Sequence, residues 1–298
     1  MRILMSGGSG LIGSALQRRL GAEGHTFVRL VRRPAKEGEL RWDPAAGTLD
    51  PAAFDGCDAV INLSGANIGD KRWTEQYKAE LVSSRVLATE LLANTMADLD
   101  RKPEVFLSGS AVGWYGDRGD ERLDELSGPA EDFLSDLCQQ WEAATMVAEK
   151  VCIRTVHLRT GIVLSAESGA LKKQLPLFKL GLGGRFGSGH QWQSWISIDD
   201  EVGAIKHLLT AEICGAVNLT APNPVTNTEF ATTLGKVLHR PAVLPVPSFG
   251  PKLLYGGEMV DSLLLGGQRV LPTALQRSGY EFQHATLDVA LRSVLHRP

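Results

Sequence analysis

The residues whose types and spacing suit chemistry begin at the start of the chain. Ser6-Gly7-Gly8-Ser9-Gly10-Leu11-Ile12-Gly13 places glycines at 7, 10 and 13. It follows a short apolar run, Arg2-Ile3-Leu4-Met5, and opens a stretch in which Leu11, Ile12, Ala15, Leu16 and Leu20 recur at the helical period. Each glycine has its own task. Gly7 permits the tight turn, Gly10 lets a pyrophosphate approach the backbone, and Gly13 lets the helix pack closely. The first helical N–H groups, of Leu11, Ile12 and Gly13, then point the positive end of the helix at the phosphates.

The next strand, Thr26-Phe27-Val28-Arg29-Leu30-Val31, runs into Arg32-Arg33-Pro34. A binder of NAD keeps a carboxylate there for the ribose 2′-hydroxyl. Two guanidiniums instead suit a 2′-phosphate, so the expected cofactor is NADP(H). Asp58–Ala66 is a strand whose end, Leu63-Ser64-Gly65-Ala66, passes beneath the adenosine and ribose, where bulk would clash. A later strand, Glu104–Ser108, leads into Gly109-Ser110-Ala111-Val112-Gly113-Trp114-Tyr115-Gly116. This hydroxyl-rich end, with Ser108 and Ser110, is expected beside the nicotinamide. His157, in a strand from Cys152 to Leu158, reads as a structural histidine. Asp199 and Asp200 read as a helix cap with an acidic first turn, and no metal site is expected. On spacing alone, Glu80 and Arg85 are two solvated charges on a helix from about Thr74 to Asp98.

The elements that must position these groups alternate strand and helix. The expected fold class is α/β, a Rossmann-type doubly wound parallel sheet with a smaller C-terminal α/β substrate lobe. Residues 1–221 form the NADP-binding domain, with crevice-facing insertions at about 163–195, and residues 222–298 form the closing lobe. One helix is expected over Phe133–Lys150. In the insertion, the Gly181–Gly189 loop is either a lid or a plain surface connection, and His190, Gln191, Trp192 and Trp195 are candidate pocket liners. In the lobe, helices over Thr228–Leu238, Lys252–Leu265, Thr273–Arg277 and Thr286–Leu295 and a strand at Val243–Val246 are expected.

Composition bounds the rest. The chain has 298 residues, 43% hydrophobic and 22% charged, with a net charge of −3, as expected of a globular protein without a cationic field for nucleic acid. Cys57, Cys138, Cys152 and Cys214 form no Cys-x-x-Cys pair and read as apolar fillers. No run of apolar residues is long enough to cross a membrane, and the N-terminus does not read as a signal peptide. A cytoplasmic location and a small-molecule substrate are expected. Nothing in the pattern sets an oligomeric state.

Together these motifs resemble the extended short-chain dehydrogenase/reductase superfamily, in particular its YfcH-like branch of NAD-dependent epimerase-like proteins with a small C-terminal domain of their own. The motifs that carry the resemblance are Gly7-x-x-Gly10-x-x-Gly13, Asn62–Ala66, Arg72-Trp73, Ser84-Arg85, Ser110–Gly116 and Trp141-Glu142. Arg159–Leu164, the glycines from 183 to 189, Ser194–Asp200, Val270-Leu271-Pro272 and Gly279-Tyr280 extend it. The resemblance implies that Arg85 contacts a phosphate with Glu80 orienting it, that Glu142 bonds a ribose or the nicotinamide side, and that Ser110 is the catalytic serine.

One departure stands out. The superfamily's active members carry Tyr-x-x-x-Lys on the helix after the serine strand, with a Glu four residues beyond the Lys. Anchored on Glu142, those positions hold Leu134 and Cys138; shifted by one, Phe133 and Leu137. The usual proton relay is absent; Tyr115, five residues beyond Ser110, either substitutes as acid/base or packs or binds substrate, as the resemblance implies for this tyrosine. Two functions follow: an oxidoreductase or epimerase acting on a sugar nucleotide or another small polar carbonyl compound, or a catalytically silent NADP(H)-binding sensor or scaffold.

Overall fold

A computed structural model describes residues 1–247 and 249–297. The chain runs β1 (Arg2–Ser6), α1 (Leu11–Ala22), β2 (Thr26–Val31), β3 (Glu39–Arg41), β4 (Ala59–Asn62), α2 (Glu75–Ala97) and β5 (Val105–Ala111). There follow β6 (Arg122–Leu123), α3 (Phe133–Ala143), α4 (Met146–Lys150), β7 (Arg154–Thr160), β8 (Ile162–Leu164) and α5 (Gly169–Lys179). Next are β9 (Trp192–Gln193), β10 (Trp195–Ser197), α6 (Ile198–Thr210), β11 (Gly215–Leu219), β12 (Val225–Thr226) and α7 (Asn227–Leu238). The last are α8 (Phe249–Tyr255), α9 (Gly257–Val260), β13 (Arg269–Val270), α10 (Thr273–Arg277) and α11 (Leu287–Val294).

Seven parallel strands form one sheet in the order β11-β7-β5-β4-β1-β2-β3. Ile3, Leu4 and Met5 have no exposed surface, as a strand covered by helices on both faces requires. One face packs against α1 and α6 through Leu16, Leu20, Ile205 and Leu208. The other packs against α2 through Leu92 and Met96. Strand order reverses between β1 and β4, so the crevice at their C-terminal ends is the ligand position for this architecture.

Several expectations change. The single helix over Phe133–Lys150 is two, because the buried Thr145 hydroxyl donates to the Glu142 carbonyl and turns the chain between α3 and α4. Cys152 adopts φ +63°, so β7 starts only at Arg154; Cys152 and Cys214 are exposed and are not fillers. The helix expected over Lys252–Leu265 breaks at Gly256, φ +91°, into α8 and α9, followed by a π-helical turn at Asp261–Leu265. Val243–Val246 is not a strand: Val246 makes one isolated bridge, to Phe186.

Among the described residues, the C-terminal segment has no sheet of its own. β12 pairs with β9 and β13 with β6, while Leu275 of α10 joins the core of the main sheet. Asp200 fastens it further. Its fully buried carboxylate accepts from the Tyr280 hydroxyl and from the backbone N–H groups of Gln283 and His284. The α6 cap is therefore Ser197, which accepts from the Asp200 N–H, with Asp199, Asp200 and Glu201 in the first turn.

Candidate functional site: a dinucleotide cleft

The turn between β1 and α1 is shaped by contact. Gly7 has φ +70°, and a Cβ there would overlap the Leu63 carbonyl. A Cβ at Gly13 would overlap the carbonyl of Gly7, so this glycine lets the helix sit on the turn. A Cβ at Gly10 would meet only the Gly7 oxygen, at 3.3 Å, and would otherwise project into open space. Gly10 is the N-cap of α1 and provides no side-chain acceptor. The N–H groups of Leu11, Ile12 and Gly13 thus begin the helix without intrahelical partners. Gly7, Gly8, Ser9 and Gly10 line a cleft of about 630 Å³ that continues along Leu63, Ser64 and Gly65 to the end of β2.

The end of β2 is basic, but its arginines are not equivalent. Both terminal nitrogens of Arg33 donate to Glu39, at 2.6 Å each, and Arg29 adds an ion pair at 3.0 Å. Arg33 is therefore not the free fork expected from the sequence. Arg32 lines the cleft and makes no hydrogen bond or ion pair among the described residues. The Arg33 guanidinium and the Lys36 N–H hold the Glu39 carboxyl down at about 2. Glu39 was not singled out in the sequence, because the strand that buries it is three residues long.

The floor beneath the adenosine position is braced from α2. Ser84 accepts from the Ala66 N–H at 3.0 Å. Arg85 donates to the carbonyls of Ala66 and Leu81 and stacks 5.1 Å from the Trp141 ring. Burial pushes the Arg85 guanidinium below its ordinary range. Arg85 thus ties a loop to a helix through two backbone carbonyls, and it is not among the residues that line the cleft. Glu80 does not orient it: its partner is Lys71, at 3.4 Å, although Glu80 does line the cleft. With both backbone groups of Ala66 committed, only Leu63, Ser64 and Gly65 of this turn face the cleft.

Past β5 lies a buried polar chain. Ser110 donates to Glu142 at 2.6 Å. Arg159 binds both Glu142 oxygens, at 2.8 and 2.9 Å, and donates to the Tyr115 hydroxyl at 3.0 Å. Tyr115 in turn donates to Asn218 at 2.7 Å. The Arg159 guanidinium lies 3.8 Å from the Trp114 ring centre. These placements correct three expectations. Tyr115 has no exposed surface, and burial pushes its hydroxyl up to about 12, so it does not meet a substrate as acid/base. Glu142 is occupied by Arg159 and Ser110 rather than turned to a ribose. Ser108 is fully buried within the sheet, with no hydrogen-bond partner for its hydroxyl among the described residues.

Arg159, quoted above only as part of a motif, was given no role by the sequence. A charge set among Val156 and Leu158 in a central strand required a buried partner, and that was its signal. His157 is held by Thr145 at 2.8 Å, and burial lowers its pKa, as suits a structural histidine.

At the two relay positions the structure offers no substitute. Cys138 is buried, its thiol donates weakly to the Ala111 carbonyl, and burial pushes it up to about 12, so it is no thiolate. Leu134 lines a separate 400 Å³ cavity with Gly113, Gly116, Asp117, Asp132 and Asp261. None of His190, Gln191, Trp192 and Trp195 lines that cavity: Trp195 is fully buried, and Trp192 donates to Asp120. The Gly181–Gly189 loop is packed rather than open, since a Cβ at Gly184 would overlap the Leu244 carbonyl.

Fold, glycine turn and cleft define an extended nucleotide-binding α/β protein. Residues 3–219 match the NAD dependent epimerase/dehydratase family, and the chain belongs to it. Residues 246–294 match a domain of unknown function, DUF1731.

Among the relatives, the chain is 44% identical to an epimerase family protein of Mycobacterium tuberculosis, covering 99% of this chain and 98% of that one. It is 38% identical to the human epimerase family protein SDR39U1, covering 99% and 100%. A crystal structure of human SDR39U1 with NADPH superposes with a TM-score of 0.91, at 36% identity and 99% coverage of both chains. The structure of a nucleoside-diphosphate sugar epimerase from Corynebacterium glutamicum gives 0.80 at 34% identity; this chain spans 59% of its length. No helix among the described residues is long and apolar enough to cross a membrane.

Proposed function

We propose that the protein binds NADP(H) in the β1–α1 cleft and acts as an oxidoreductase or epimerase-like enzyme on a small polar compound bearing a carbonyl or hydroxyl group. The observation that carries the cofactor half is the pairing of an uncapped helix end with an unpartnered Arg32 in one cleft. The backbone N–H groups suit a diphosphate, and a free guanidinium where NAD binders keep a carboxylate suits a 2′-phosphate. The NADPH in the human relative's structure supports the same choice. On binding, the cofactor supplies or accepts hydride. The chain's part is to hold it with the nicotinamide near the end of β5 and to exclude water.

The cavity beside Leu134 suits a neutral hydroxylated compound better than a sugar nucleotide. Asp117, Asp132 and Asp261 line it, and no Lys or Arg is among its lining residues, so a diphosphate there would meet like charge.

A specific observation favours the second reading, a silent protein whose conformation reports the NADPH/NADP⁺ ratio. The Ser110 proton is already given to Glu142, and Tyr115 is sealed from the crevice. Calorimetric titration with NADPH and NADH tests the cofactor half: tight NADPH and weak NADH binding is expected, and no heat with either would remove it. Nicotinamide absorbance, followed with a panel of small carbonyl compounds, separates the enzyme from the sensor. Turnover that Ser110→Ala abolishes would exclude the silent reading.

A further inference from the structure

Glu39 shares its cleft with Arg29, Arg32 and Arg33, and with the carboxylates of Asp43 and Glu80. It sits on β3 directly across from Arg29 in the β2–β3 register. Its side chain is 1% exposed, whereas Arg29 and Arg33 are 39% and 51% exposed. The carboxylate therefore lies beneath two guanidiniums whose outer edges reach solvent and the cleft. Every direct partner it has is a donor: Arg29, both terminal nitrogens of Arg33, and the Lys36 N–H.

The donor geometry leaves room for an anion above. Arg33 spends both hydrogens of one terminal nitrogen, on Glu39 and on the Pro34 carbonyl, and one of the other, so its Nε and one terminal hydrogen stay free, while Arg29 meets Glu39 through one terminal nitrogen. A guanidinium has five donors, so each arginine keeps an edge that points away from Glu39. Between them, Arg32 has no partner among the described residues and lines the same cleft. Three guanidiniums against Glu39 and Asp43 leave a net charge of about +1 at this corner, by the ordinary charges of these groups, with Glu80 further along the cleft.

We propose that Glu39 is a positioning residue for cofactor selectivity: it holds Arg29 and Arg33 in place, so that with Arg32 they receive the 2′-phosphate of NADP(H). The inference rests on the NADP(H) reading and deepens it. Without the brace, two long side chains would have to be ordered when the nucleotide arrives, and the ordering entropy would be taken from the affinity. The role is specific to the phosphate, because every partner of Glu39 lies at the β2–β3 connection or on β2 and none in the glycine turn. It is also distinct from the carboxylate of an NAD binder. Glu39 is neutralised by its arginines and does not present its oxygens to a ribose.

The test compares the wild type with Glu39→Gln, Glu39→Asp, Arg33→Gln and the Glu39→Gln/Arg33→Gln double variant. Each is titrated calorimetrically with NADPH, NADH, adenosine 2′,5′-bisphosphate and AMP. Glu39→Gln is expected to lower the NADPH-to-NADH affinity ratio about tenfold, the scale of one lost charge-assisted contact. The bisphosphate-to-AMP ratio should fall in parallel, while NADH and AMP affinities stay unchanged. Glu39→Asp, which keeps the charge, should restore part of the ratio. The double variant should lose less than the two single losses combined, because part of the effect of Glu39 passes through Arg33 and the rest through Arg29. Arg33→Gln changes an exposed residue, so it keeps the test alive if Glu39→Gln does not fold.

An unchanged ratio overturns the inference. So does a higher one, which would make Glu39 a competitor of the phosphate rather than a brace. If the wild type binds no nicotinamide nucleotide, the cofactor reading falls and this inference with it. If it prefers NADPH and Glu39→Gln leaves that preference intact, only this inference falls.

Discussion

Ser110 gives its hydroxyl proton to Glu142 across 2.6 Å, and the same carboxylate is held on both oxygens by Arg159. Register explains the meeting. Ser110 and Arg159 are paired neighbours on β5 and β7, and α3 lays Glu142 across them. A buried ion pair of this kind is weak support for the fold while whole, and a large loss when one partner is removed. Glu142→Gln leaves Arg159 charged and without its carboxylate, and should lower stability by about 3–5 kcal/mol. Ser110→Ala removes one hydrogen bond and should lose only about 1 kcal/mol. Urea unfolding of the two variants checks the contrast; equal effects would mean that the pair does not act as described.

The three glycines of the first turn should separate fold from ligand binding. Gly7→Ala forces a side chain into φ +70° and onto the Leu63 carbonyl, so it should destabilise the protein markedly, by more than about 1 kcal/mol. Gly10→Ala meets only the Gly7 oxygen, at 3.3 Å, and should melt within a few degrees of the wild type. Its methyl group projects where the diphosphate would lie, so nucleotide affinity should fall at least about tenfold, the loss expected of one displaced charge-assisted contact. Melting curves with and without NADPH are the measurement. A Gly10→Ala protein that still gains stability from NADPH as the wild type does would contradict the cleft assignment.

Cysteine reactivity should follow burial. Cys138 is 2% exposed and its thiol is pushed up to about 12, whereas Cys152 and Cys214 are exposed. Iodoacetamide at neutral pH should label Cys152 and Cys214 within the native protein, and Cys138 only after denaturant is added. Peptide mass spectrometry reads this directly. Rapid labelling of Cys138 would revive it as a chemical participant at the position that the superfamily pattern gives to lysine.

What was legible in the sequence was local. The strand, glycine turn and helix of residues 2–22 carry their own signals, so Gly7, Gly10 and Gly13 occupy the positions their spacing implied. The ends of α2 were legible too, because Thr74 is a capping residue and caps the helix as such. What stayed hidden depended on pairings across the chain. Nothing in a linear reading marks Glu39, six residues on, as the partner that occupies Arg33, because it is the return of the chain into β3 that folds one onto the other. Arg85 shows the same limit from the other side. Five residues on a helix turn two side chains onto different faces, so Glu80 was poorly placed to orient it. Its partners are instead a loop carbonyl and a tryptophan from another helix.

Glu201 gives the pH prediction. It is fully buried in the first turn of α6; one oxygen accepts from Thr160 at 3.0 Å, and the other has no partner among the described residues. Burial pushes its carboxyl from 4.5 up to about 8. The sign follows from proton counts. Below pH 4.5 the carboxyl is protonated in both folded and unfolded chains and has no effect on the balance. Between 4.5 and 8 the folded protein keeps a proton that the unfolded chain releases, so rising pH favours unfolding. Across that window each pH unit should remove up to about 1.4 kcal/mol. Above 8 the loss is complete and constant. Glu201→Gln is neutral at every pH and can still accept from Thr160. The variant should therefore match the wild type in mild acid and exceed it in stability at pH 8 and above. Urea midpoints measured from pH 5 to 9 decide the matter. Parallel curves for the two proteins would show that Glu201 is ionised in the fold.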